Sequence, residues 1–75
     1  MSRSKGKKAA LKDLFSNNVR KFRLKQKISQ EELAFRAGVH RTYIGSVERG
    51  ERNITINVME KICIALNIPI IEFFN

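Results

Sequence analysis

The chain is poor in residues that form covalent cross-links, metal sites and catalytic groups. Its 75 residues include one cysteine and one histidine, which excludes an internal disulfide and most zinc sites. Acidic residues number only seven, and no Ser, His and Asp set has a spacing that supports hydrolysis. No glycine-rich phosphate loop is present. We therefore expect no catalytic residues, no cofactor and no metal.

Long hydrophobic runs are also absent. No apolar stretch approaches the roughly 20 residues that span a bilayer. The first residues, MSRSKGKK, lack the apolar segment of a secretory signal. A chain of 75 residues is long enough for one small domain and too short for a second core. We expect a cytoplasmic protein that has no membrane partner.

Positive charge is the feature that the chain has in excess. Fifteen Lys and Arg residues against seven acids give a formal net charge of +8. Residues 1–27 hold ten basic residues and one acid, whereas residues 28–75 hold five basic residues and six acids. A basic face can simply be solvated, but this concentration at one end favours a surface that binds a polyanion. The charge alone leaves nucleic acid and an anionic membrane as alternatives.

Hydrophobic periodicity and capping signals predict an all-α fold with five short helices. Residues 1–8 have no core residue after the initiator methionine and predict a flexible basic arm, which leaves residues 9–75 as the domain. Ser29 and Glu32 form a capping-box pattern, and Gly38 is a helix stop. The predicted helices span residues 9–26, 30–37, 40–49, 56–66 and 69–74. No segment alternates as a strand does.

The segment from Gln30 to Arg49 has the pattern of a helix-turn-helix unit. Ala34 is small where the second helix crosses the first, and Gly38 permits the sharp turn between them. The second helix begins with a polar run at residues 40–43. Leu33 of the first helix and Ile44 and Val47 of the second form the apolar contact that holds the two together and leaves the opposite face of the second helix free. In such a unit the second helix enters the major groove of DNA.

Residues 11–74 resemble the lambda-repressor-like, or Xre-type, five-helix DNA-binding domain through VRKFRLKQKISQEELA, AGVHRTYIGSVERGERN and IALNIPIIEFF. The run HRTYIGSVERGERNIT is similar to the corresponding stretch of controller proteins of restriction–modification systems. The resemblance implies a transcriptional regulator that binds a symmetric operator or promoter in double-stranded DNA as a homodimer. It implies autoregulation, timing of endonuclease expression and no small-molecule ligand. The alternative is a small phage-type repressor, or an antitoxin that acts mainly through a protein partner.

The resemblance also implies which residues contact DNA. Gln30 matches a phosphate-contacting position, and its alternative role is that of a plain exposed residue at a helix start. His40 either contacts DNA or caps the recognition helix. The contacts implied on the exposed face of that helix are Arg41, Thr42, Tyr43 and Ser46. Those implied in and after its C-terminal end are Arg49, Arg52, Asn53 and Thr55.

Three further expectations concern packing. An acid that faced DNA would repel it, so Glu48 is expected in an internal ion pair, and the resemblance puts it in contact with Arg23 of the first helix. Cys63 is expected in the core. The apolar C-terminus is expected both to cap the core and to form the homodimer contact; its residues are Ile70, Ile71, Phe73 and Phe74.

Overall fold

A computed structural model describes the backbone of residues 2–75 and the side chains of residues 11–75. Within this range the chain forms four α-helices and one short 3₁₀ helix: α1 (Ser2–Lys25), α2 (Gln30–Ala37), α3 (Arg41–Glu48), α4 (Ile56–Leu66) and the 3₁₀ helix (Ile70–Phe74). The all-α prediction is confirmed. The fifth predicted helix is of the 3₁₀ type, because so short a segment closes i to i+3 bonds, such as that from the Glu72 N–H to the Pro69 carbonyl at 3.0 Å.

Helix α1 begins at Ser2, before the predicted start at Ala9. The segment from residue 2 to residue 8 is therefore helical backbone that continues into α1. Met1 lies outside the described residues. The division into an arm at residues 1–8 and a domain at residues 9–75 stays a prediction.

Side-chain caps define where α2 and α4 begin. The Ser29 hydroxyl accepts a hydrogen bond from the Glu32 N–H at 2.9 Å, as predicted. The Glu32 carboxylate is engaged by Nε of Arg36 at 2.8 Å, one turn along the same helix. At α4 the Thr55 hydroxyl accepts from the Val58 N–H at 3.2 Å. Each cap satisfies a backbone donor that has no partner within its helix.

One core joins all five elements, and Phe73 lies in it. Its ring centre is 5.2 Å from that of Phe15 and 5.0 Å from that of Phe22, both on α1. Asn18 of α1 donates from Nδ2 to the Phe73 carbonyl at 2.8 Å. The fully buried hydrophobic side chains are Phe15, Val19, Leu33, Ile44, Val47, Ile62, Leu66 and Phe73. Cys63 is also buried, so its predicted place in the core is confirmed.

The C-terminal prediction is thus correct for the core and wrong for one proposed contact residue. Phe73 is 0% exposed and has no surface to offer a second subunit. Phe74 is half-buried against the core, with its ring centre 5.7 Å from that of Phe15. Ile70 and Ile71 are 38% and 67% exposed, and their role in a subunit contact stays a prediction. The aromatic pair turns inward because α1 supplies two facing rings.

We predict that Phe73→Ala lowers the free energy of unfolding by about 3–5 kcal/mol, because it leaves a cavity among the rings of α1. Phe35→Ala is the matched control, since Phe35 is 82% exposed on α2. The control should change the free energy of unfolding by less than about 0.5 kcal/mol. Urea denaturation followed by circular dichroism measures both. Equal losses in the two variants would contradict the position of Phe73.

Candidate nucleic-acid interface

The turn between α2 and α3 sets the direction in which α3 crosses the core. Gly38 has a φ of 71°, a left-handed conformation in which a side chain is strained. The Val39 N–H donates to the Ala34 carbonyl at 3.0 Å and closes the end of α2. Ile44 and Val47 are fully buried on the inner side of α3. The predicted helix-turn-helix is confirmed, and the first two residues of α3 remain exposed.

A buried ion pair fixes the C-terminal end of α3 to α1. Arg23 donates from Nε to Oε2 of Glu48 at 2.6 Å and from Nη2 to Oε1 at 3.0 Å. The side chains are 10% and 3% exposed, respectively. Arg23 also donates from Nη1 to the carbonyl of Ile28 at 2.9 Å. The hydrogen bonds to Glu48 raise the pKa of Arg23. The predicted contact between Arg23 and Glu48 is confirmed.

Gln30 joins this ion pair from the start of α2. It is half-buried, and its Nε2 donates to Oε1 of Glu48 at 3.0 Å. A Cβ at Gly45 of α3 would lie 3.5 Å from Oε1 of Gln30 and 3.3 Å from Nη1 of Arg49. The amide of Gln30 therefore lies against the bare backbone of α3. A phosphate contact by Gln30 stays a prediction.

His40 forms the N-cap of α3, which is one of the two roles that the sequence left open. Its Nδ1 accepts a hydrogen bond from the Thr42 N–H at 3.1 Å. The Thr42 hydroxyl oxygen lies 2.8 Å from the same nitrogen. The cap satisfies one backbone donor at the start of the helix. A contact between His40 and DNA stays a prediction.

The first turn of α3 presents the residues expected to read bases. Arg41 and Thr42 are exposed, and Tyr43 is half-buried. The guanidinium carbon of Arg52 lies 4.8 Å from the centre of the Tyr43 ring, a cation–π contact. This contact was not predicted, because Arg52 lies in the loop beyond the helix and helical spacing carries no information about it. It brings two of the expected DNA contacts together.

Ser46 does not lie on the exposed face of α3, contrary to the prediction. It is 7% exposed. Its Oγ donates to the Tyr43 carbonyl at 2.9 Å and accepts from Nε of Arg52 at 2.9 Å. The chain turns back after α3, where the Glu51 N–H donates to the Ser46 carbonyl at 2.9 Å, and the returning loop covers the hydroxyl. Ser46 therefore supports Arg52 from beneath the surface.

The loop after α3 keeps its charged and polar residues at the surface. Arg49 donates from Nε and Nη2 to the Glu51 carboxylate at 2.9 and 3.1 Å. These hydrogen bonds raise the pKa of Arg49 and lower the pKa of Glu51. Asn53 is exposed, and so is Thr55, although the hydroxyl of Thr55 is engaged as the cap of α4. An exposed pair contributes little to stability, so Arg49 can exchange Glu51 for a phosphate at small cost.

The described part of the chain has neither a membrane-spanning helix nor a group of metal-binding side chains. No helix among residues 2–75 is long and apolar enough to cross a membrane. The side chains of residues 11–75 form no group of three or more His, Cys, Asp or Glu that could hold a metal ion. The chemistry available around α3 is hydrogen-bond donation together with positive charge.

We predict that Glu48→Ala destabilises the fold, because it leaves the Arg23 guanidinium buried without its carboxylate. Loss of one partner of a buried pair costs about 3–5 kcal/mol. Glu51→Ala is the control, because its pair with Arg49 is 56–61% exposed and should cost less than about 1 kcal/mol. Urea denaturation gives both values. At temperatures where Glu48→Ala is folded, its preference at each base should match the parent, and a variant as stable as the parent contradicts the assignment.

Comparison with known proteins agrees with this geometry. The chain matches the helix-turn-helix family model over residues 19–73. It is 49% identical over 57 residues to the control protein C.SmaI of Serratia marcescens, a match covering 76% of this chain and 68% of that protein. The crystal structure of the restriction-modification controller protein C.AhdI from Aeromonas hydrophila has a TM-score of 0.80 and 40% identity, over 83% of this chain and 94% of that chain. The controller C.Esp1396I, solved as a tetramer with its natural 35 base-pair operator, has a TM-score of 0.79 and 38% identity, over 85% of this chain and 84% of that chain. The chain therefore belongs to the helix-turn-helix family of restriction–modification controller proteins.

Proposed function

We propose that the protein is a sequence-specific DNA-binding transcriptional regulator, the controller of a restriction–modification system, which binds a symmetric operator as a homodimer. One observation carries the proposal: α3 exposes its first turn while its inner face and C-terminal end are held in the core. A helix supported in this way can enter a major groove without rearranging. C.Esp1396I, a relative, was solved as a tetramer on its operator. The function is DNA binding and not catalysis, and it takes place in the cytoplasm.

The charge distribution supports DNA as the polyanion. The excess of basic residues is concentrated in residues 1–27, which include the whole of α1. Duplex DNA carries one negative charge per about 1.7 Å of its axis, so a basic surface gains affinity by releasing counterions. An anionic membrane offers the same charge but no base edges for the polar first turn of α3. DNA is the partner that uses both features.

We assign separate roles to the residues that contact bases and to those that contact the DNA backbone. Arg41 can donate two hydrogen bonds to O6 and N7 of guanine, and the Thr42 methyl can contact a thymine methyl. Tyr43, with Arg52 stacked on its ring, reaches a phosphate or a base. The residues assigned to contact the DNA backbone are Gln30, Arg49, Asn53 and Thr55. Ser46 acts through Arg52, because its hydroxyl accepts a hydrogen bond from Nε of Arg52.

We predict that Arg41→Ala costs about 1–3 kcal/mol per half-site and relaxes specificity at one base position, because a bidentate guanine contact is lost. Arg49→Ala is the comparison, because both residues are exposed arginines of the same region. It should weaken binding to every sequence alike and reduce the salt slope by about one unit per contact. Binding isotherms at several salt concentrations, on an operator selected from a random duplex pool and on its scrambled sequence, separate the two patterns.

If Arg41→Ala weakened both DNAs equally and only made the salt slope shallower, Arg41 would be a backbone contact. The reading role would then pass to Thr42 or Tyr43. If the parent protein selected no sequence from the pool, the proposed function itself would be wrong.

The homodimer is proposed because a single recognition helix contacts too few base pairs for a unique site, and two half-sites about one helical turn apart give the required length. The exposed apolar residues near the C-terminus support a contact there. Ile64 of α4 is 77% exposed and lines one depression together with Ile70. Ile71 is adjacent along the 3₁₀ helix.

We predict that Ile71→Glu weakens dimerisation at least about tenfold, because burial of a carboxylate at an apolar contact costs more than about 1.4 kcal/mol. Ile56→Glu is the matched control, since Ile56 and Ile71 are 66% and 67% exposed. Analytical ultracentrifugation at micromolar concentration measures both. A parent that stays monomeric on operator DNA contradicts the dimer. A dimer that Ile71→Glu leaves intact contradicts this contact surface.

A further inference from the structure

The first turn of the recognition helix is held by the only histidine of the chain. The Thr42 N–H donates to Nδ1 of His40 at 3.1 Å, so this nitrogen carries a lone pair and no proton. The Thr42 hydroxyl, 2.8 Å from the same nitrogen, can then only donate to it. The geometry therefore requires a neutral imidazole with its proton on Nε2.

This arrangement decides what Thr42 offers to DNA. Its hydroxyl proton is directed to Nδ1 of His40, within the protein. The groups that remain for a base are the methyl group and a lone pair of the hydroxyl oxygen. A methyl group favours thymine, through its C5 methyl, and a lone pair accepts from an amino group. The state of His40 thus sets the chemical character of a neighbouring reading residue.

We propose that neutral His40 is a positioning residue for base reading, and that its protonation weakens the discrimination between operator and other DNA. The inference rests on the proposed function. A protonated ring has no lone pair on Nδ1, so it releases the Thr42 N–H, and its Nδ1–H donates to the Thr42 hydroxyl oxygen instead. It also places a cation at the N-terminal end of α3, where the helix dipole disfavours it. The first turn then loses its cap, and the Thr42 hydroxyl offers DNA a proton in place of a lone pair.

One acidic and one basic side chain lie near His40. Glu31 of α2 and Arg41 of α3 line one surface depression with it, and the other lining residues are apolar: Ala34, Phe35 and Val39. Protonation of His40 adds a positive charge near the DNA phosphates, which strengthens binding to any sequence. The added charge raises both affinities alike, whereas the changed hydrogen bonding of Thr42 lowers only the affinity for the operator. The ratio of the two affinities is the quantity to measure.

The test compares that ratio at about pH 7.5 and about pH 5.5, the range in which histidine changes charge. The DNAs are an operator selected from a random duplex pool and its scrambled sequence. For the parent protein we expect the ratio to fall about threefold to tenfold at the lower pH, which corresponds to the worth of one helix N-cap. His40→Asn retains a cap acceptor that does not titrate, so its ratio should equal that of the parent at pH 7.5 and stay constant. His40→Ala should have a low ratio at both pH values.

Ser29→Ala is the control for a purely structural effect, because it removes the cap of α2 and leaves α3 intact. It should lower stability in urea without changing the ratio or its pH profile. A parent that prefers its operator equally at both pH values overturns the inference while leaving the proposed function standing. His40→Asn with a ratio as low as that of His40→Ala also overturns it, because the ring itself would then be the contact. If the parent protein shows no preference for its operator at pH 7.5, both the proposed function and this inference are wrong.

Discussion

The orientation of the recognition helix depends on one buried carboxylate. The Glu48 carboxylate accepts hydrogen bonds from Arg23 of α1 and from Gln30 of α2. Helix α3 has only eight residues and is too short to keep its orientation without such contacts. A buried pair of this kind adds little net energy compared with apolar residues of the same size. Its role here is geometric, since the hydrogen bonds hold the C-terminal end of α3 against α1 and α2. The first turn is thereby presented at a fixed angle.

Local signals in the sequence predicted the helix-turn-helix because they act over a few residues. The Ser29 cap and the left-handed Gly38 each fix one end of α2. Asn67, also left-handed, ends α4 where the sequence placed its end. These features depend on one or two backbone dihedral angles or on one hydrogen bond within a turn. The prediction of contact between Arg23 and Glu48 had a different source, the resemblance to a family, since residues in separate helices share no local pattern.

The errors at Ser46 and Phe73 and the contacts that the sequence did not predict share one physical cause, which is the path of the chain between helices. Ser46 has the spacing of an exposed residue, but the loop after α3 returns over it and Arg52 occupies its hydroxyl. The C-terminal segment around Phe73 has more apolar residues than one face of a short helix can bury. The sequence could not show that Phe73 packs against Phe15 and Phe22 of α1. The hydrogen bond from Gln30 to Glu48 depends likewise on the crossing of two helices. Tertiary contacts of this kind carry no periodic signal.

Gly45 has a consequence for how the operator preference of this protein could be changed. Gly45 lies at the centre of α3 and has no side chain, and the side chains of Gln30 and Arg49 lie close to its Cα. With Ser46 covered, the side chains of α3 that are free to vary in a groove are confined to residues 41–43. On the proposed assignment of base-contacting residues, retargeting to a new operator concerns three neighbouring positions. A library limited to them would leave the fully buried core residues, the ion pair and both capping residues of the reading unit untouched.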